Sequence, residues 1–321
     1  MNSIEAMELE IGYQVQELPK LIQAYESNPD CCLFVGSGDS FVAGLVAHHA
    51  SKRRAISCNP MEFLLNPCIG QKRQLYIISV SGRTNLNILS ALVARKHKIR
   101  TTAITANPYS TLAKHCNNTI KLNYKSTGVL TSGTIGFTSS MLSCLSLVTD
   151  VTDLDNINRI YHQAEIQAEN LIKRHSISTS SFIFLGDGIL FPIGIYGALK
   201  INEIFGSKSY AYTLDEFCHS PIFSIKAGDN IVILDNFGYD ENNPRLLNQR
   251  LNQINYSSLY IDLSGLNLIE TVLKSTFLIQ IFLLKIAKRN GLKDCFFLCN
   301  KELFTLSSDL IYKSSSHGLK I

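Results

Sequence analysis

The sequence predicts an α/β protein made of two doubly wound domains, each a central parallel sheet flanked by helices. Two observations carry this prediction. Short apolar strands alternate with helical segments along most of the chain, and that alternation is typical of a parallel sheet covered on both faces. The same order of elements then returns after about 150 residues, which indicates an internal duplication.

The composition indicates a globular chain with a large core. Of 321 residues, 45% are hydrophobic and 17% are charged, so the chain is long enough for two domains. Its 30 Lys and Arg against 26 Asp and Glu leave a net charge of +4. Without a long Lys/Arg block, we expect neither nucleic acid nor a membrane surface as a partner. The small positive excess is compatible with an anionic small substrate.

Targeting and cysteine patterns favour a cytoplasmic protein. The amino terminus lacks the apolar segment of a signal peptide, and no run of 18 apolar residues occurs. The nine cysteines are scattered and odd in number, as expected for reduced thiols rather than a disulfide framework. Cys295 and Cys299 lack partner ligands nearby. We therefore predict no metal site and no cofactor.

The order of elements divides the chain into three parts. Residues 1–30 have apolar positions at helical spacing and predict a helix pair broken near Pro19. We expect the first sheet domain over 31–160 and the second over 161–321. Predicted strands lie at 31–35, 75–80, 100–105, 119–122, 181–185, 231–234 and 256–261, and predicted helices end near 50, 97, 115, 148, 175, 205 and 289.

The densest group of polar residues lies in the second domain, between 182 and 221. Lys200 and Glu203 are three residues apart on a predicted helix, so they share one face. His219 follows in a segment where Pro221 favours a turn. A carboxylate, an ammonium and an imidazole together can move protons on a carbonyl compound. An exposed helix pair and a surface histidine are the alternative interpretation.

Two glycine- and hydroxyl-rich loops in the first domain predict an anion site, because each joins a strand to a helix N-terminus. The first loop contains Gly38, Asp39 and Ser40; the second contains Ser79, Ser81, Gly82, Arg83 and Thr84. The hydroxyls could instead be plain helix caps. Arg83 is either a surface charge or a phosphate partner. Asp39 would repel phosphate and is better suited to a sugar hydroxyl.

Glycine loops after strands also bind nucleotides in other folds. Gly36-Ser37-Gly38 lacks the third glycine of the dinucleotide fingerprint, and no acidic residue ends the next strand at the required distance. No Gly-Lys-Ser/Thr follows either loop, so a P-loop is also absent. The sequence therefore argues against nicotinamide and nucleoside triphosphate cofactors.

From about residue 31 onward the chain resembles the two-domain sugar isomerase (SIS) family. That family includes the isomerase half of glucosamine-6-phosphate synthase, archaeal glucosamine-6-phosphate deaminases and phosphoglucose/phosphomannose isomerases. Its S-x-S-G-x-T phosphate loop is similar to 79–84 here, and its L-G-x-G-x-x-x-P and E-x-x-H-G-P segments are similar to 185–204 and 216–221. The spacing from Glu203 to His219 agrees without a gap.

The resemblance implies an enzyme acting on a hexose phosphate without a metal. His219 would open the sugar ring, Glu203 would carry a proton between C1 and C2, and Lys200 would stabilise the developing oxyanion. Thr134 stands in the loop expected to contact the substrate. The resemblance also implies a homodimer in which the histidine loop reaches the partner's cleft. The apolar helix at 271–287 and the N-terminal helix favour the same prediction, because they exceed what the two sheets need to cover them. Isomerisation and deamination remain open, as does a non-catalytic sugar-phosphate-binding regulator.

Several positions depart from the family pattern. The amide or acidic residue common in the family's phosphate loop is Val80 or Arg83 here, HGP reads His219-Ser220-Pro221, and the Ser-Thr-Lys loop reads Gly133-Thr134-Ile135. We expect no glutaminase domain, because 30 leading residues leave no room for one. The family's catalytic tail lysine has no clear counterpart, and Lys313 and Lys320 are the nearby candidates.

Overall fold

A computed structural model of the chain describes residues 1–21, 27–151, 154–237 and 244–313. They group into two compact units. The sheet-1 unit comprises Gln16–Ser126, Ile135–Leu154 and Asn300–Ile321, and the sheet-2 unit comprises Met1–Val15, Thr127–Thr134 and Asp155–Cys299. Each unit is thus assembled from three separate segments of chain. The contiguous boundaries at 30 and 160 remain a sequence-based prediction.

Nine strands are found in the described residues: β1 Cys32–Gly36, β2 Ile56–Cys58, β3 Gln74–Ile78, β4 Thr101–Thr105, β5 Asn118–Lys121, β6 Ser181–Leu185, β7 Lys208–Tyr212, β8 Asn230–Asp235 and β9 Ser258–Asp262. The helices described are α1 Ser3–Glu17, α2 Asp39–Ala50, α3 Pro60–Leu65, α4 Asn85–Lys96, α5 Thr111–His115, α6 Ile135–Ser146, α7 Ile157–Arg174, α8 Leu190–Phe205, α9 Leu214–His219, α10 Pro244–Gln253, α11 Leu268–Arg289, α12 Phe296–Cys299 and α13 Lys301–Tyr312. Short 3₁₀ segments, including Leu18–Leu21, complete several connections.

The sheet-1 unit contains a five-stranded parallel sheet in the order β2-β1-β3-β4-β5. Every residue of β1 and β4 is buried, as expected for strands covered on both faces. Leu33 pairs with Leu75 and Leu75 with Thr101, which fixes the register of the central strands. Leu33, Val35, Leu75 and Ile77 then face a core that includes Phe63.

The sheet-2 unit repeats this plan with four parallel strands in the order β7-β6-β8-β9. Strand β6 takes the place of β1, and the loop that follows each strand contains a glycine with positive φ. Gly38 has φ +55° and Gly188 has φ +56°, a region where glycine avoids the Cβ penalty. The repetition of strand order and of loop geometry supports the internal duplication.

Helix α11 fills the interior of the sheet-2 unit and packs against α7 and α8. Fifteen of its 22 residues are buried. A helix that is covered on most sides is apolar on most sides. The expectation that this helix needs a second subunit to cover it was wrong. Its apolar surface is buried within one chain, and it gives no argument for a homodimer.

Helix α1 is tied to the distant end of the sheet-2 unit. The Ile4 amide donates to the Lys293 carbonyl at 3.1 Å. The Ser3 amide donates to Asp294 Oδ1 at 2.8 Å, and the Cys295 amide donates to Ser3 Oγ at 2.8 Å. Ile4, Met7 and Ile11 are buried on the inner face of the helix. The predicted helix break occurs one residue before Pro19, where the 3₁₀ segment begins.

The predicted α/β class is confirmed, and the long buried strands fall within one or two residues of their predicted ends. The sequence did not predict β2, β7, α3, α9, α10, α12 and α13. The missed strands lie at the sheet edges; β2 has three residues and β7 is partly exposed, so neither shows a continuous apolar run. None of the helices in the described ranges is long and apolar enough to cross a bilayer.

Candidate active site

The centre of the candidate site is the carboxylate of Glu203, on the last turn of α8. The Ser132 hydroxyl donates to its Oε2 atom at 2.7 Å, and the Lys200 ammonium donates to the same oxygen at 2.6 Å. The Lys200 side chain is 2% exposed, whereas that of Glu203 is 37% exposed. Within the described residues, Oε1 of Glu203 has no hydrogen-bond partner. One oxygen is therefore held by protein donors and the other is available to a ligand.

Ser132 belongs to a segment of the sheet-2 unit that we call the threonine loop, residues 127–134. Glu10 of α1 anchors this loop from the interior. Its Oε1 accepts the Thr127 amide at 3.1 Å and the Thr127 hydroxyl at 2.9 Å. Its Oε2 accepts the hydroxyls of Thr131 at 3.2 Å and Thr134 at 3.1 Å. Glu10 is 6% exposed, so a buried carboxylate holds the loop on both sides of Ser132.

Two further buried side chains fix the same loop. The Tyr196 hydroxyl donates to the Gly133 carbonyl at 2.7 Å and accepts from Gln280 Nε2 at 3.0 Å. Gln280 also reaches the Thr134 carbonyl at 3.5 Å, and it accepts from Gln14 Nε2 at 2.6 Å. Buried donors and acceptors that are paired in this way hold one arrangement of the loop.

His219 lies outside this group of contacts. It ends α9, its ring Nε2 is 3.6 Å from Asp215 Oδ2, and its side chain is 73% exposed. In the described part of the chain no hydrogen bond joins His219 to Glu203 or Lys200. The structure thus brings together two of the three predicted catalytic side chains and leaves the imidazole on the surface.

The candidate phosphate loop, 79–84, follows β3 in the sheet-1 unit. Ser79 Oγ accepts the Gly82 amide at 3.1 Å and lies 3.3 Å from Thr84 Oγ1, while Ser81 Oγ accepts the Arg83 amide at 3.3 Å. Gly82 has φ +63°, and a Cβ there would collide with Ser110 Oγ. The turn therefore requires glycine.

The phosphate loop ends at the N-terminus of α4. Thr84 is the N-cap residue, but its side chain makes no capping hydrogen bond. The first turn of α4 carries no acidic residue, so the helix dipole and the first main-chain amides remain suited to an anion. Arg83 is exposed, and its guanidinium carbon lies 5.5 Å from the Tyr312 ring centre.

The remaining predicted positions are placed as follows. Gly38 is the N-cap of α2, Asp39 and Ser40 are partly exposed in its first turn, and Thr134 is buried with its hydroxyl on Glu10. Lys313 is 2.6 Å from Asp309, and Lys320 lies outside the described residues. Whether any of these positions contacts a ligand remains a prediction.

The sequence interpretation missed Ser132, Glu10, Tyr196, Gln280 and Gln14. For Glu10 and Gln14 a signal exists, since they are polar and four residues apart on the face of α1 that buries Met7 and Ile11. Two polar residues on the buried stripe of an amphipathic helix indicate a polar partner inside. Ser132 stands 71 residues from Glu203, and no local spacing predicts that contact.

The cysteine thiols are free, and Cys295 contacts the site at the Ser132 backbone. Cys295 lies beside the site, and burial raises the pKa of its thiol; a raised pKa lowers the thiolate fraction. All nine cysteines are free, and burial raises the pKa values of Cys32 and Cys58 to about 12. The described ranges contain no group of three or more His, Cys, Asp or Glu arranged to hold a metal ion.

Comparison with known proteins finds similarity to sugar-phosphate enzymes. The chain is 24% identical over 222 residues to a glutamine–fructose-6-phosphate aminotransferase of Buchnera aphidicola, covering 62% of this chain and 36% of that protein. It is 27% identical over 216 residues to the enzyme of the same name from Sulfolobus acidocaldarius, covering 63% and 36%. The chain thus spans about a third of the length of these relatives. No protein-family model matches it.

Solved structures share the fold over nearly the whole chain. Glucosamine-6-phosphate deaminase from Thermotoga maritima gives a TM-score of 0.73 at 22% identity, covering 90% of this chain and 96% of that one. Tagatose-6-phosphate ketose/aldose isomerase from Escherichia coli gives 0.71 at 16% identity, covering 89% and 94%. The C-terminal domain of the aminotransferase from Francisella tularensis gives 0.70 at 19%, covering 89% and 96%. The resemblance to the two-domain sugar isomerases is confirmed.

Proposed function

We propose that this chain is a sugar-phosphate isomerase that transfers a proton between C1 and C2 of an open-chain hexose phosphate. The fold shared with phosphosugar isomerases and a deaminase supports the class of reaction. The arrangement around Glu203 supports the chemistry. In this reaction a base removes a proton from the carbon next to the carbonyl, an enediol forms, and the proton returns to the neighbouring carbon.

One observation carries the proposal: the two donors on Glu203 converge on a single oxygen. With Oε2 held by Ser132 and Lys200, the carboxylate cannot rotate without breaking both bonds. Oε1 is left to accept the proton from carbon. A base that is in position before the substrate arrives needs no reorganisation during the reaction, and this increases the rate of proton transfer.

Lys200 acts in this proposal as a positioning residue. Its ammonium is buried and already donates to Glu203 at 2.6 Å, and the Tyr196 ring lies 5.4 Å from it. A buried charge that is paired in this way fixes its partner. The alternative role predicted from the sequence, stabilising an oxyanion, requires the ammonium to reach the substrate.

The phosphate of the substrate is assigned to the loop at 79–84. The uncapped first turn of α4 and the Ser81 and Thr84 hydroxyls support that assignment. Each neutral hydrogen bond contributes about 0.5–1.5 kcal/mol. Ser81→Ala and Thr84→Ala should therefore raise the KM for phosphorylated sugars roughly threefold to tenfold and leave kcat nearly unchanged. Unchanged affinity in calorimetry would move the phosphate site elsewhere.

The test of the proton transfer is exchange of solvent deuterium into fructose 6-phosphate, followed by NMR at C1. Wild-type protein should incorporate deuterium, and Glu203→Gln should lower the rate by a factor of about 10²–10⁴, as for the loss of a general base. Glu216→Gln is the matched control, because Glu216 is an exposed carboxylate on α9. Loss of exchange in the Glu216 variant with retention in the Glu203 variant would refute the assignment.

Deamination of glucosamine 6-phosphate shares the same proton transfer and is distinguished by its product. Release of ammonia from glucosamine 6-phosphate, abolished by Glu203→Gln, would identify a deaminase. Deuterium exchange without ammonia release would identify an isomerase.

We propose that His219 opens the sugar ring in the site of a second copy of the chain. The exposure of His219 and its lack of contact with its own Glu203 support this role. Mixing Glu203→Gln with His219→Ala chains tests it, since a hybrid dimer would then contain one site with both residues intact. Statistical mixing would restore about one quarter of wild-type activity. Activity no higher than that of the separate variants would exclude sharing.

A non-catalytic sugar-phosphate-binding protein is the second candidate, favoured by the position of His219 away from the carboxylate. Such a protein would bind fructose 6-phosphate through the loop at 79–84 and exchange no deuterium. The experiment above separates the two functions, because binding with no exchange in the wild-type protein supports the binder alone.

A further inference from the structure

We propose that the sheet-1 unit has a second anion site, at the edge where its parallel strands begin, which binds a compact polyphosphate. The site lies at the opposite end of β3 from the phosphate loop at 79–84. Five strand residues separate the two positions, a distance of about 17 Å. It is therefore a separate site, independent of the proposed isomerase activity.

The first observation is the distribution of charge along the chain. Residues 63–149 contain ten Lys and Arg and no Asp or Glu, whereas the whole chain has 30 basic and 26 acidic residues. The remainder thus carries 20 basic and 26 acidic residues and is net negative. An acid-free stretch of this length concentrates positive potential on the unit that contains it.

The second observation is that this charge surrounds two adjacent cavities. One, of about 260 Å³, is lined by Arg95, Lys98, Arg100 and His115 together with Ile99, Thr101 and Asn117. The other, of about 450 Å³, shares Lys98, Ile99 and Arg100 and adds Lys72, Arg73 and His97 to its basic lining. No acidic side chain lines either cavity.

Two of the three arginines, Arg73 and Arg95, are held in place before any ligand arrives. Arg95 Nη2 donates to the His115 carbonyl at 3.1 Å. Arg73 Nη1 donates to the carbonyls of Cys32 at 3.2 Å and Arg54 at 3.3 Å. Neither guanidinium forms an ion pair with an acidic side chain in the part of the chain that the structure describes. Both therefore keep N–H donors for an external anion.

Two lysines of the cavities occupy backbone positions that favour glycine. Lys72 has φ +64° and Lys98 has φ +57°. Lys98 follows α4, where its amide bonds the Arg95 carbonyl and the Ile99 amide bonds the Ala94 carbonyl, the hydrogen bonds of a Schellman motif. A lysine there carries a backbone cost that glycine would avoid, so replacing Lys98 by glycine removes the charge without straining the backbone.

Compensation of helix dipoles explains only part of the cluster. Arg95 and Lys96 lie in the last turn of α4, where cations are favourable. Lys72, Arg73 and Arg100 lie outside helices, just before β3 and β4. None of these three cations lies in the last turn of an α-helix.

The lining indicates phosphate groups rather than nucleic-acid bases. Apart from the two histidines, neither cavity is lined by an aromatic side chain, whereas single-stranded nucleic acid is bound on aromatic stacking surfaces. Two joined concave cavities with five Lys and Arg between them suit several phosphates on one small molecule. Inorganic polyphosphate and the phosphate chain of a nucleotide share this chemistry.

Calorimetric titration with inorganic triphosphate tests the proposal in the full chain. Lys98→Gly removes the charge and relieves the backbone, so the variant should fold at least as well as wild type while binding triphosphate about tenfold more weakly. Lys52→Gly is the matched control. Lys52 has φ +54° and follows α2 with the same pair of hydrogen bonds, and it lines neither cavity. Its substitution should leave binding unchanged.

Further titrations identify the ligand and distinguish this site from the phosphate loop at 79–84. Ser81→Ala should not alter triphosphate affinity, and Lys98→Gly should not alter deuterium exchange into fructose 6-phosphate. ATP binding as tightly as triphosphate supports recognition of phosphates alone, and tighter ATP binding identifies a nucleotide. The proposal is overturned by absence of triphosphate binding, by equal losses in the Lys52 and Lys98 variants, or by an oligonucleotide that binds these residues more tightly than triphosphate.

Discussion

Substitution of Glu10 is the sharpest test of how the candidate site is built, because Glu10 is far from Glu203 in sequence and holds the threonine loop whose Ser132 donates to the Glu203 carboxylate. Glu10→Ala removes the acceptor of four hydrogen bonds, with donor–acceptor distances from 2.9 to 3.2 Å. The three threonine hydroxyls can turn toward other acceptors, but the direction of the Thr127 amide is fixed by the backbone.

The expected loss follows from these contacts. A buried donor left without a partner costs about 1–3 kcal/mol, and a hydrogen bond to a charged group contributes about 1.5–3 kcal/mol. Because the hydroxyls recover part of this, we expect Glu10→Ala to lower the free energy of unfolding by about 3–5 kcal/mol. Glu10→Gln keeps one carbonyl oxygen for Thr127 and should lose about 1–2 kcal/mol.

Urea unfolding followed by circular dichroism measures the stability, since the chain has no tryptophan. Glu8→Ala is the matched control: Glu8 is on the same helix and pairs with Lys288 at 2.7 Å, but its side chain is 49% exposed, so its loss should cost under about 1 kcal/mol. Glu10→Gln should also slow deuterium exchange at least tenfold, through displacement of Ser132. Equal losses in the Glu8 and Glu10 alanine variants would refute the reasoning.

Three further predictions follow from packing, titration and the buried ammonium. Gly197→Ala should lower the free energy of unfolding by about 1–3 kcal/mol, because the new Cβ would lie 2.7 Å from the Phe184 ring. Gly12→Ala is the control and should be neutral or stabilising, because no atom lies within 4 Å of its Cβ. Equal unfolding midpoints for the two variants would contradict this prediction. Burial lowers the pKa of His49 from 6.5 to about 4. As the pH drops from about 6.5 toward 4, the imidazole is therefore protonated in the unfolded chain before it is protonated in the folded one, and the free energy of unfolding falls. Solvent screening limits this loss of stability to about 1 kcal/mol. The free energy of unfolding should decrease less between pH 7.5 and pH 5 in His49→Gln than in the wild type. An equal decrease in both proteins would assign the pH dependence to another group. Lys200→Met should retain the fold by circular dichroism and lower kcat about 10–100-fold, with little change in KM; unchanged kcat would remove Lys200 from the site.

The part of the fold that the sequence predicts is the part governed by local patterns. Strands β1, β3, β4, β6 and β8 are apolar runs because both of their faces are buried, and the i, i+3 spacing of Lys200 and Glu203 places them together on α8. Edge strand β7 escaped prediction because its exposed alternation resembles a loop.

The supporting half of the site could not be predicted, because its contacts join residues that are distant in sequence. Glu10 and Thr134 are 124 residues apart, and Gln14 and Gln280 are 266 apart. Neither pair has a periodic signature. A polar residue on a buried helix face shows that some partner exists, but identifying the partner requires the tertiary structure.

The hydrogen bonds between the start of α1 and residues 293–295 affect how the chain is made. A ribosome extends a polypeptide at about 5–20 residues per second, so Ser3 and Ile4 wait roughly 15–60 s before Lys293 and Cys295 are synthesised. During that interval Ile4, Met7 and Ile11 have no completed interior to enter. The nascent chain therefore exposes an apolar helix face until residues 293–295 have been made, and a chaperone or a neighbouring nascent chain can bind that face.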